Sequence, residues 1–181
     1  TKEEVRTLAK AMRQAPEPGH LKLVADQPRR LARLVTIAKK IEGLVGLTLV
    51  ARQAIEGSDL PLALMGMRLK SLTLGVSGHG TGKEWKDTLA AMKLDRLEVR
   101  PPIDEDQLPF PIGSVPQDLR ELVLHAASGQ SKPLTKLVQR SSRLRQLDLA
   151  YGFTACHDDT EHHAWLMTKL FPTGLERLSL S

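Results

Sequence analysis

A leucine pattern that recurs at a fixed interval constrains the fold of this chain more than any other feature of its sequence. The pattern L-x-x-L-x-L begins at residues 44, 69, 94, 119, 144 and 175, which gives five copies spaced by 25 residues and a sixth after a further 31. Leucine occupies seventeen of the eighteen defining positions, and Val99 occupies the other. A weaker copy, Leu21-Lys22-Leu23, lies 26 residues before Leu47-Thr48-Leu49. Such spacing indicates a repeat architecture.

The alternation at the end of each copy predicts what one repeat contains. In L-x-L, the two leucines lie on one side of an extended chain, so each copy predicts a short strand with one buried face. The rest of each repeat must return the chain to the same end of the sheet, which predicts parallel neighbours. Stacked repeats then share one continuous core. The predicted fold is α/β: a stack of repeats that forms a parallel sheet of about seven short strands, with the return segments covering the back of the sheet.

The segments between the predicted strands differ in character. Helices are predicted over 29–41, from Gly82 to Met92, from Ser131 onwards, and from Asp158 to Phe171. Five prolines between 101 and 117 deny a regular helix to that segment. Residues 1–15 predict an amphipathic helix that caps the stack. The predicted division is therefore an N-terminal capping helix and linker, 1–19, followed by the repeats, 20–181.

Composition excludes several classes of protein. Aromatic residues make up 3% of the chain, while about one residue in six is leucine, which favours a repeat core over an ordinary one. The single cysteine, Cys156, excludes an intramolecular disulfide and disfavours a cysteine-based zinc site. No apolar run is long enough for a transmembrane helix, so no membrane partner is expected.

Two short motifs contain residue types that carry chemistry, and neither has a complete pattern. The run Gly78-His79-Gly80-Thr81-Gly82-Lys83 lies between a predicted strand and a predicted helix, as a phosphate-binding loop does. Ser77 replaces the first glycine of such a loop and Glu84 replaces its hydroxyl residue, so a flexible turn is the preferred interpretation. Residues 156–163 hold cysteine, histidines and acids at metal-ligand spacing, but acids also fit the start of a helix.

Catalysis is not predicted from these residues. Cys156 and His157 are adjacent but lack the sequence setting of a nucleophile and its base. His125 ends a predicted strand and could pair with Asp148 on the next strand, an arrangement that more often orders a surface. We therefore expect a protein that is not an enzyme and that has no catalytic residues, metal site or cofactor.

The repeats resemble a known family. The consensus L-x-x-L-x-L-x-x-N/C-x-L is that of leucine-rich-repeat proteins, which the chain resembles over roughly residues 20–181. The Asn/Cys position of the consensus is occupied by other residues: Arg52, Ser77, Pro102, Ala127 and Gly152. The chain is thereby more similar to the irregular intracellular class with repeats of 25–26 residues. That class includes the repeat domains of fungal-type F-box proteins, which residues 28–34 and 43–49 resemble.

The resemblance implies a leucine-rich-repeat solenoid, with a curved parallel sheet and with helices and loops on its convex side. It also implies protein recognition inside the cell, in the cytoplasm or the nucleus. For an F-box protein it implies the substrate-receptor part of a Skp-cullin-F-box ubiquitin ligase, with the F-box outside this chain because residues 1–20 contain none. Two alternatives stay open: a microbial effector with leucine-rich repeats, and an RNA-associated adaptor. Nucleic acid would contact a basic N-terminal helix with five cations: Arg29, Arg30, Arg33, Lys39 and Lys40. Aromatic side chains for base stacking are nearly absent, which weakens the RNA alternative.

The partner-binding surface is predicted on the concave side, where the non-leucine residues of each strand point. The predicted binding residues belong to the later repeats: Arg96, Glu98, Arg100, Glu121, His125, Gln146, Asp148, Tyr151 and Phe153. Earlier repeats present Gly46, Thr48, Ser71, Thr73 and Gly75, small groups with little to recognise. The alternative interpretation is that these charges only neutralise one another across the strands. Arg96 would then pair with Glu121, and Arg100, His125 and Asp148 would pair among themselves. Each such exposed pair is worth about 0–1 kcal/mol.

The last copy of the pattern, residues 175–180, is expected to form an edge strand. Solenoids normally end in a polar cap, and an uncovered apolar edge promotes association. We therefore expect the repeats to continue beyond residue 181, or another chain to cover this edge.

Overall fold

Seven parallel strands form the main sheet of this protein. The computed structural model describes residues 2–14, 17, 19–53, 55–56, 59–76, 78–79, 82–100, 108–125, 131–149 and 174–180. The sheet contains, in order, β1 (His20–Ala25), β2 (Gly46–Ala51), β4 (Ser71–Gly75), β6 (Arg96–Val99), β7 (Glu121–Leu124), β8 (Gln146–Leu149) and β9 (Arg177–Leu180). Two further strands, β3 (Ile55–Glu56) and β5 (Gly78–His79), form a separate parallel pair. The predicted α/β class and the seven parallel strands are confirmed.

The register of the sheet follows the interval between the leucine copies. Leu47 of β2 lies beside Leu72 of β4, and the same row continues through the next three strands. Leu178 of β9 joins this row in spite of the longer interval before it. On the other side, Leu21 of β1 lies beside Leu47, so the weaker copy also forms a strand of the sheet. A constant interval thus places equivalent residues side by side.

Within the described residues, five helices connect the strands or precede them. They are α1 (Lys2–Arg13), α2 (Pro28–Ala38), α3 (Asp59–Leu64), α4 (Gly82–Met92) and α5 (Ser131–Arg140). The predictions for α1, α2, α4 and α5 are confirmed, although α2 ends at Ala38 and not at Ile41. The short helix α3, which contains Pro61, was not predicted. The helix predicted from Asp158 to Phe171 lies outside the described residues.

The proline-rich segment contains a single helical turn in its described part. Residues 112–114 form a 3-10 turn, and no α-helix lies within 108–117. Phe110 in this segment packs against Trp85 of α4, with their ring centroids 5.1 Å apart. In the described residues 108–117, the prolines thus leave a turn and no regular helix, as predicted.

One continuous core joins the leucines of the strands to the apolar sides of the helices. Leu72, Leu97 and Leu147 are fully buried, as are Leu89 of α4 and Leu134 of α5. Each such side chain contributes about 1.5–3 kcal/mol by its burial. At the N-terminal edge, α1 packs on α2 and β1. At the C-terminal edge, Leu178 of β9 is partly buried and packs against the same core.

Candidate functional site

The side chains between the leucines form the opposite face of the sheet, which we term the open face. Successive residues of a strand point to opposite sides, so these residues point away from the core. The register places Arg96 of β6 beside Glu121 of β7, and Glu121 beside Gln146 of β8. Glu98 lies beside Val123, and Val123 beside Asp148. The sheet therefore gathers the predicted binding residues of three strands on one surface.

Glu98 lies at the centre of this group and is almost inaccessible to solvent. Its side chain is 6% exposed. Arg96 donates from Nη2 to Glu98 Oε2 over 3.1 Å, and Thr73 donates to the same oxygen over 3.3 Å. The other carboxylate oxygen accepts a hydrogen bond from Nε of Arg100, and Nε2 of His125 lies 3.4 Å from it. A buried carboxylate thus holds two arginines in fixed positions.

The ionisation of this group follows from its contacts. Burial by itself raises the pKa of Glu98, but hydrogen bonds from Arg96 and Arg100 and the charges of both arginines outweigh burial, so its pKa lies below the ordinary value. Burial by itself lowers the pKa of Arg96, and the contacts with Glu98 and Glu121 reverse that effect and raise it. Glu98 is therefore an anion and Arg96 a cation at neutral pH.

Part of the charge on this surface is neutralised within the protein. Arg96 donates from Nη1 to Glu121 Oε1 over 2.5 Å, which is the cross-strand pair considered in the sequence. Arg100 is paired differently, since its partner is Glu98 on the same strand and not Asp148. We term Arg96, Glu98, Arg100, Glu121 and His125 the charge network. Its arginines remain 40% and 60% exposed, so they can still meet a ligand.

The neighbouring strand β8 adds a smaller polar pair. Gln146 donates from Nε2 to Oδ2 of Asp148 over 3.4 Å. The other carboxylate oxygen, Oδ1, is buried and has no hydrogen-bond partner among the described residues. The same holds for Nε2 of His125, whose approach to Glu98 lacks hydrogen-bond geometry. Tyr151 and Phe153, the two remaining predicted binding residues, lie outside the described residues.

A hollow of about 950 Å³ lies on the open face over β1, β2, β4 and β6, and we term it the trough. Small polar side chains form its floor: Thr48, Ser71 and Thr73. Lys22 and Arg52 line it on the side of β1 and β2, and Arg96 and Arg100 line it on the side of β6. The trough exists because consecutive strands carry small residues at equivalent positions while the strands on either side carry long ones.

From the sequence, these small residues are expected to offer little for a partner to recognise, and the trough was not predicted. A signal was present in the sequence. Gly46, Thr48, Ser71, Thr73 and Gly75 belong to consecutive copies of the pattern, between copies that carry Lys22 and Arg96. Small residues in equivalent positions of neighbouring repeats predict a depression, and charged residues in the adjoining repeats predict its walls.

The basic helix proposed for RNA is largely engaged within the protein. Arg33 of α2 lies 3.4 Å from Glu4 of α1, and Arg29 lies 3.8 Å from Asp59 of α3. Lys39 donates to the carbonyl oxygen of Met65 over 2.6 Å. The side chains of Arg30 and Lys40 have no hydrogen bond or ion pair with another described residue. Two of the five cations, Arg30 on α2 and Lys40 just after its end, thus have no described side-chain partner.

The two short motifs of the sequence gain no support from the described residues. Gly78 and His79 form β5, and α4 begins at Gly82, but residues 77, 80 and 81 of the glycine-rich run lie outside the description. The cluster at 156–163 lies outside it as well. Within the described ranges, no three or more histidine, cysteine or acidic side chains are grouped as metal ligands would be. None of the described helices is long and apolar enough to cross a membrane.

Comparison with known proteins supplies no relative from which a function could be transferred. No protein-family model matches the chain, and no curated protein matches it. The functional assignment therefore depends on the geometry of the open face and on the resemblance of the repeats.

Proposed function

We propose that this chain is a leucine-rich-repeat solenoid that recognises another protein through its open face, which would be the concave side of a curved sheet. The leucine rows are in register along all seven strands, which supports a stack of equivalent repeats. Repeat proteins set their specificity with the residues between the structural ones. Seven of the nine partner-binding residues predicted from the sequence are among the described residues, and these seven belong to the strands of the open face or directly follow them.

The observation that carries this proposal is the contrast between the two faces of the sheet. The core face repeats leucine from strand to strand, whereas the open face changes from glycine and threonine to arginine and glutamate. Glu98 also fixes Arg96 and Arg100 before any partner arrives. Fixed side chains lose less conformational entropy on binding, so a preorganised surface gains affinity.

A finer assignment is the substrate-receptor part of a Skp-cullin-F-box ubiquitin ligase, acting in the cytoplasm or the nucleus. Its support is the resemblance of residues 28–34 and 43–49 to fungal-type F-box proteins. The test is to isolate the natural full-length protein from its own cells and to ask whether a Skp adaptor and a cullin co-purify with it. Recovery of the partner protein without these two subunits would leave the recognition proposal in place and remove the ligase.

The recognition proposal is tested by identifying the partner and then mapping the surface that it contacts. Affinity purification with mass spectrometry names the partner, and titration calorimetry with alanine variants locates it. Binding hot spots favour arginine and tyrosine. At least one of Arg100→Ala, Asp148→Ala and Tyr151→Ala should weaken binding by about 2 kcal/mol. Arg30→Ala and Lys40→Ala on α2 are the controls, and an effect confined to these two would place the interface on the helices.

A second candidate is an RNA-associated adaptor, which is favoured by the two cations of α2 that have no described partner. Arg30 and Lys40 could contact phosphates, whereas Arg29, Arg33 and Lys39 are already engaged. Filter binding of a labelled single-stranded RNA tests this function. Loss of RNA binding in Arg30→Gln/Lys40→Gln, with retention in Arg100→Ala, would favour the adaptor.

A further inference from the structure

We propose that the trough binds an extended acidic segment of the partner protein, with one carboxylate at each wall. This inference depends on the proposed recognition function, and it adds the chemistry of the ligand and the place where that ligand lies. It moves the principal contact from the later repeats toward β1, β2, β4 and β6.

The wall on the side of β1 and β2 offers two cations with little to neutralise them. Lys22 is exposed in the middle of β1, and its side chain forms no hydrogen bond or ion pair with any described residue. Arg52 is 79% exposed, and its nearest carboxylate oxygen, on Asp26, is 3.7 Å away. A loose exposed pair of this kind is worth little and is readily exchanged for a better one.

The opposite wall offers two arginines whose positions are fixed. Arg96 and Arg100 both donate to Glu98, and Arg96 also donates to Glu121. Each guanidinium has five N–H donors, so both retain donors for a ligand. Two carboxylates also line the trough, but Glu98 is buried beneath the arginines, and Glu17 lies 3.2 Å from His20 at the rim. The cations therefore dominate the accessible surface.

The floor of the trough suits a polypeptide backbone. The hydroxyls of Thr48 and Ser71 form no hydrogen bond with any described residue, while that of Thr73 donates to Glu98. A hydroxyl both donates and accepts, so it can satisfy either the N–H or the carbonyl group of an extended chain. The small side chains let that chain approach the sheet closely.

The separation of the walls predicts the spacing of the acidic residues. Lys22 lies on β1, three strand-to-strand steps from β6, and each step is about 4.8 Å, so β1 and β6 are about 14 Å apart. An extended chain advances about 3.4 Å per residue, so about four residues span this distance. Residues i and i+4 of an extended chain point to the same side. Acidic residues four positions apart therefore fit both walls.

Polypeptide is favoured over nucleic acid because the trough has no surface for bases. Single-stranded nucleic acid gains much of its affinity from stacking on aromatic side chains. Among the described residues that line the trough, His20 has the only aromatic ring, and the rings of Trp85 and Phe110 are buried in the core. RNA binding at the trough is thus an outcome of the test that would overturn the proposal.

The test measures binding of a fluorescein-labelled ten-residue glycine/serine peptide with glutamates at positions 3 and 7, by fluorescence polarisation at low salt. Three matched probes accompany it: glutamines at the same positions, glutamates at positions 3 and 4, and a ten-nucleotide oligouridylate. We expect the first peptide to bind most tightly. Its affinity should fall with added salt, because exposed charges are screened.

Two variants of the trough locate the peptide. Lys22→Gln/Arg52→Gln removes both cations of one wall. Each exposed charge contact is worth up to about fivefold in affinity, so this double variant should bind the peptide about tenfold more weakly. Thr48→Glu places a repelling carboxylate in the floor and should weaken it by a similar factor. The matched control is Arg30→Gln/Lys40→Gln, on α2 and just after its end, which we term the α2 control; it removes the same charge and should change affinity by less than about twofold. Circular dichroism verifies that each variant is folded.

Each outcome has a defined meaning. The proposal is supported if both trough variants lose the acidic peptide and the α2 control retains it. It is overturned if the glutamine peptide binds equally well, if the α2 control loses as much, or if oligouridylate binds while the acidic peptide does not. The natural partner's response to Asp148→Ala and Tyr151→Ala is measured separately, so protein recognition by the open face can stand when the trough proposal fails.

Discussion

The open face consists of two parts that share one scaffold and differ in the size and the pairing of their side chains. In the first part, on β1, β2 and β4, small and hydroxyl-bearing side chains form the floor of the trough, and arginines of the second part form one of its walls. In the second part, on β6, β7 and β8, long charged side chains pair with one another in the charge network. Beneath both parts, leucines of the same rows are fully buried. The strands thus provide a constant support, and the alternate residues determine whether the surface is hollow or filled.

The number of charged residues in each part of the open face is a poor guide to where a ligand binds. The second part has more charges, yet Arg96, Glu98, Arg100 and Glu121 largely satisfy one another. The first part has fewer, yet Lys22 and two hydroxyls in its floor have no described partner. An unsatisfied polar group gains more from a ligand than a satisfied one, because a satisfied group must first give up a contact.

The largest predicted effect tests whether the scaffold is the same beneath both parts. Leu72 lies under the first part of the open face, and Leu97 and Leu122 lie under the second. Replacing any of them by alanine removes a buried side chain and leaves a cavity, so each substitution should lower the free energy of unfolding by about 2–5 kcal/mol. Urea unfolding measures this cost. A change below about 1 kcal/mol at Leu97 and at Leu122 would show that the strand register is wrong.

The second largest predicted effect is a loss of stability in the second part of the open face, where Glu98 holds the charge network together. Glu98→Ala removes the acceptor of hydrogen bonds from Arg96, Arg100 and Thr73. Hydrogen bonds to charged groups are worth about 1.5–3 kcal/mol, and the partial exposure of both arginines reduces this value, so we expect a loss of about 1–3 kcal/mol. Urea unfolding again provides the measurement, with Asp118→Ala as an exposed control. Equal small losses in both variants would mean that the charge network does not stabilise the fold.

The same carboxylate predicts a dependence of stability on pH. Because the pKa of Glu98 is lowered in the folded protein, its contribution is complete at pH values above its ordinary pKa near 4.5. The contribution is lost as pH falls through the lower, folded pKa. Glu98→Gln cannot titrate, so the stability difference between wild type and this variant should shrink on acidification. Unfolding measured from pH 7 to pH 3 tests this, and a difference independent of pH would refute the assigned ionisation.

The strands and their register could be predicted from the sequence because the leucine interval specifies them directly. Helix α3 could not be predicted, since six residues with Pro61 among them give no helical periodicity. Within the site, the members of the charge network were predicted, but the partner of Arg100 was not. Asp148 lies two strands from β6, whereas Glu98 is two residues away on the same strand, and side-chain conformation decides between them. The trough was not predicted because the small residues were considered by themselves. A hollow depends on the longer side chains of the neighbouring strands as well.

The smallest predicted effect concerns stability in the first part of the open face. Thr48→Val and Ser71→Ala remove hydroxyls that form no hydrogen bond with described residues. Substitutions at such positions change stability by less than about 0.5 kcal/mol. Urea unfolding should therefore give curves close to that of the wild type. A loss above about 1 kcal/mol in either variant would mean that the hydroxyl has a structural partner.

The same two variants should nevertheless weaken the acidic peptide. A hydroxyl that the fold does not use is free to pair with a ligand backbone, and each such hydrogen bond contributes about 0.5–1.5 kcal/mol. The double variant Thr48→Val/Ser71→Ala removes two such bonds, so we expect it to bind the peptide about fivefold to a hundredfold more weakly at unchanged stability. Glu98→Ala should show the reverse balance, with a clear loss of stability and a smaller loss of peptide affinity, because Lys22 and Arg52 remain. If both variants lost stability and affinity in the same proportion, the two parts would form one cooperative surface, and the distinction between a structural network and a binding hollow would fail.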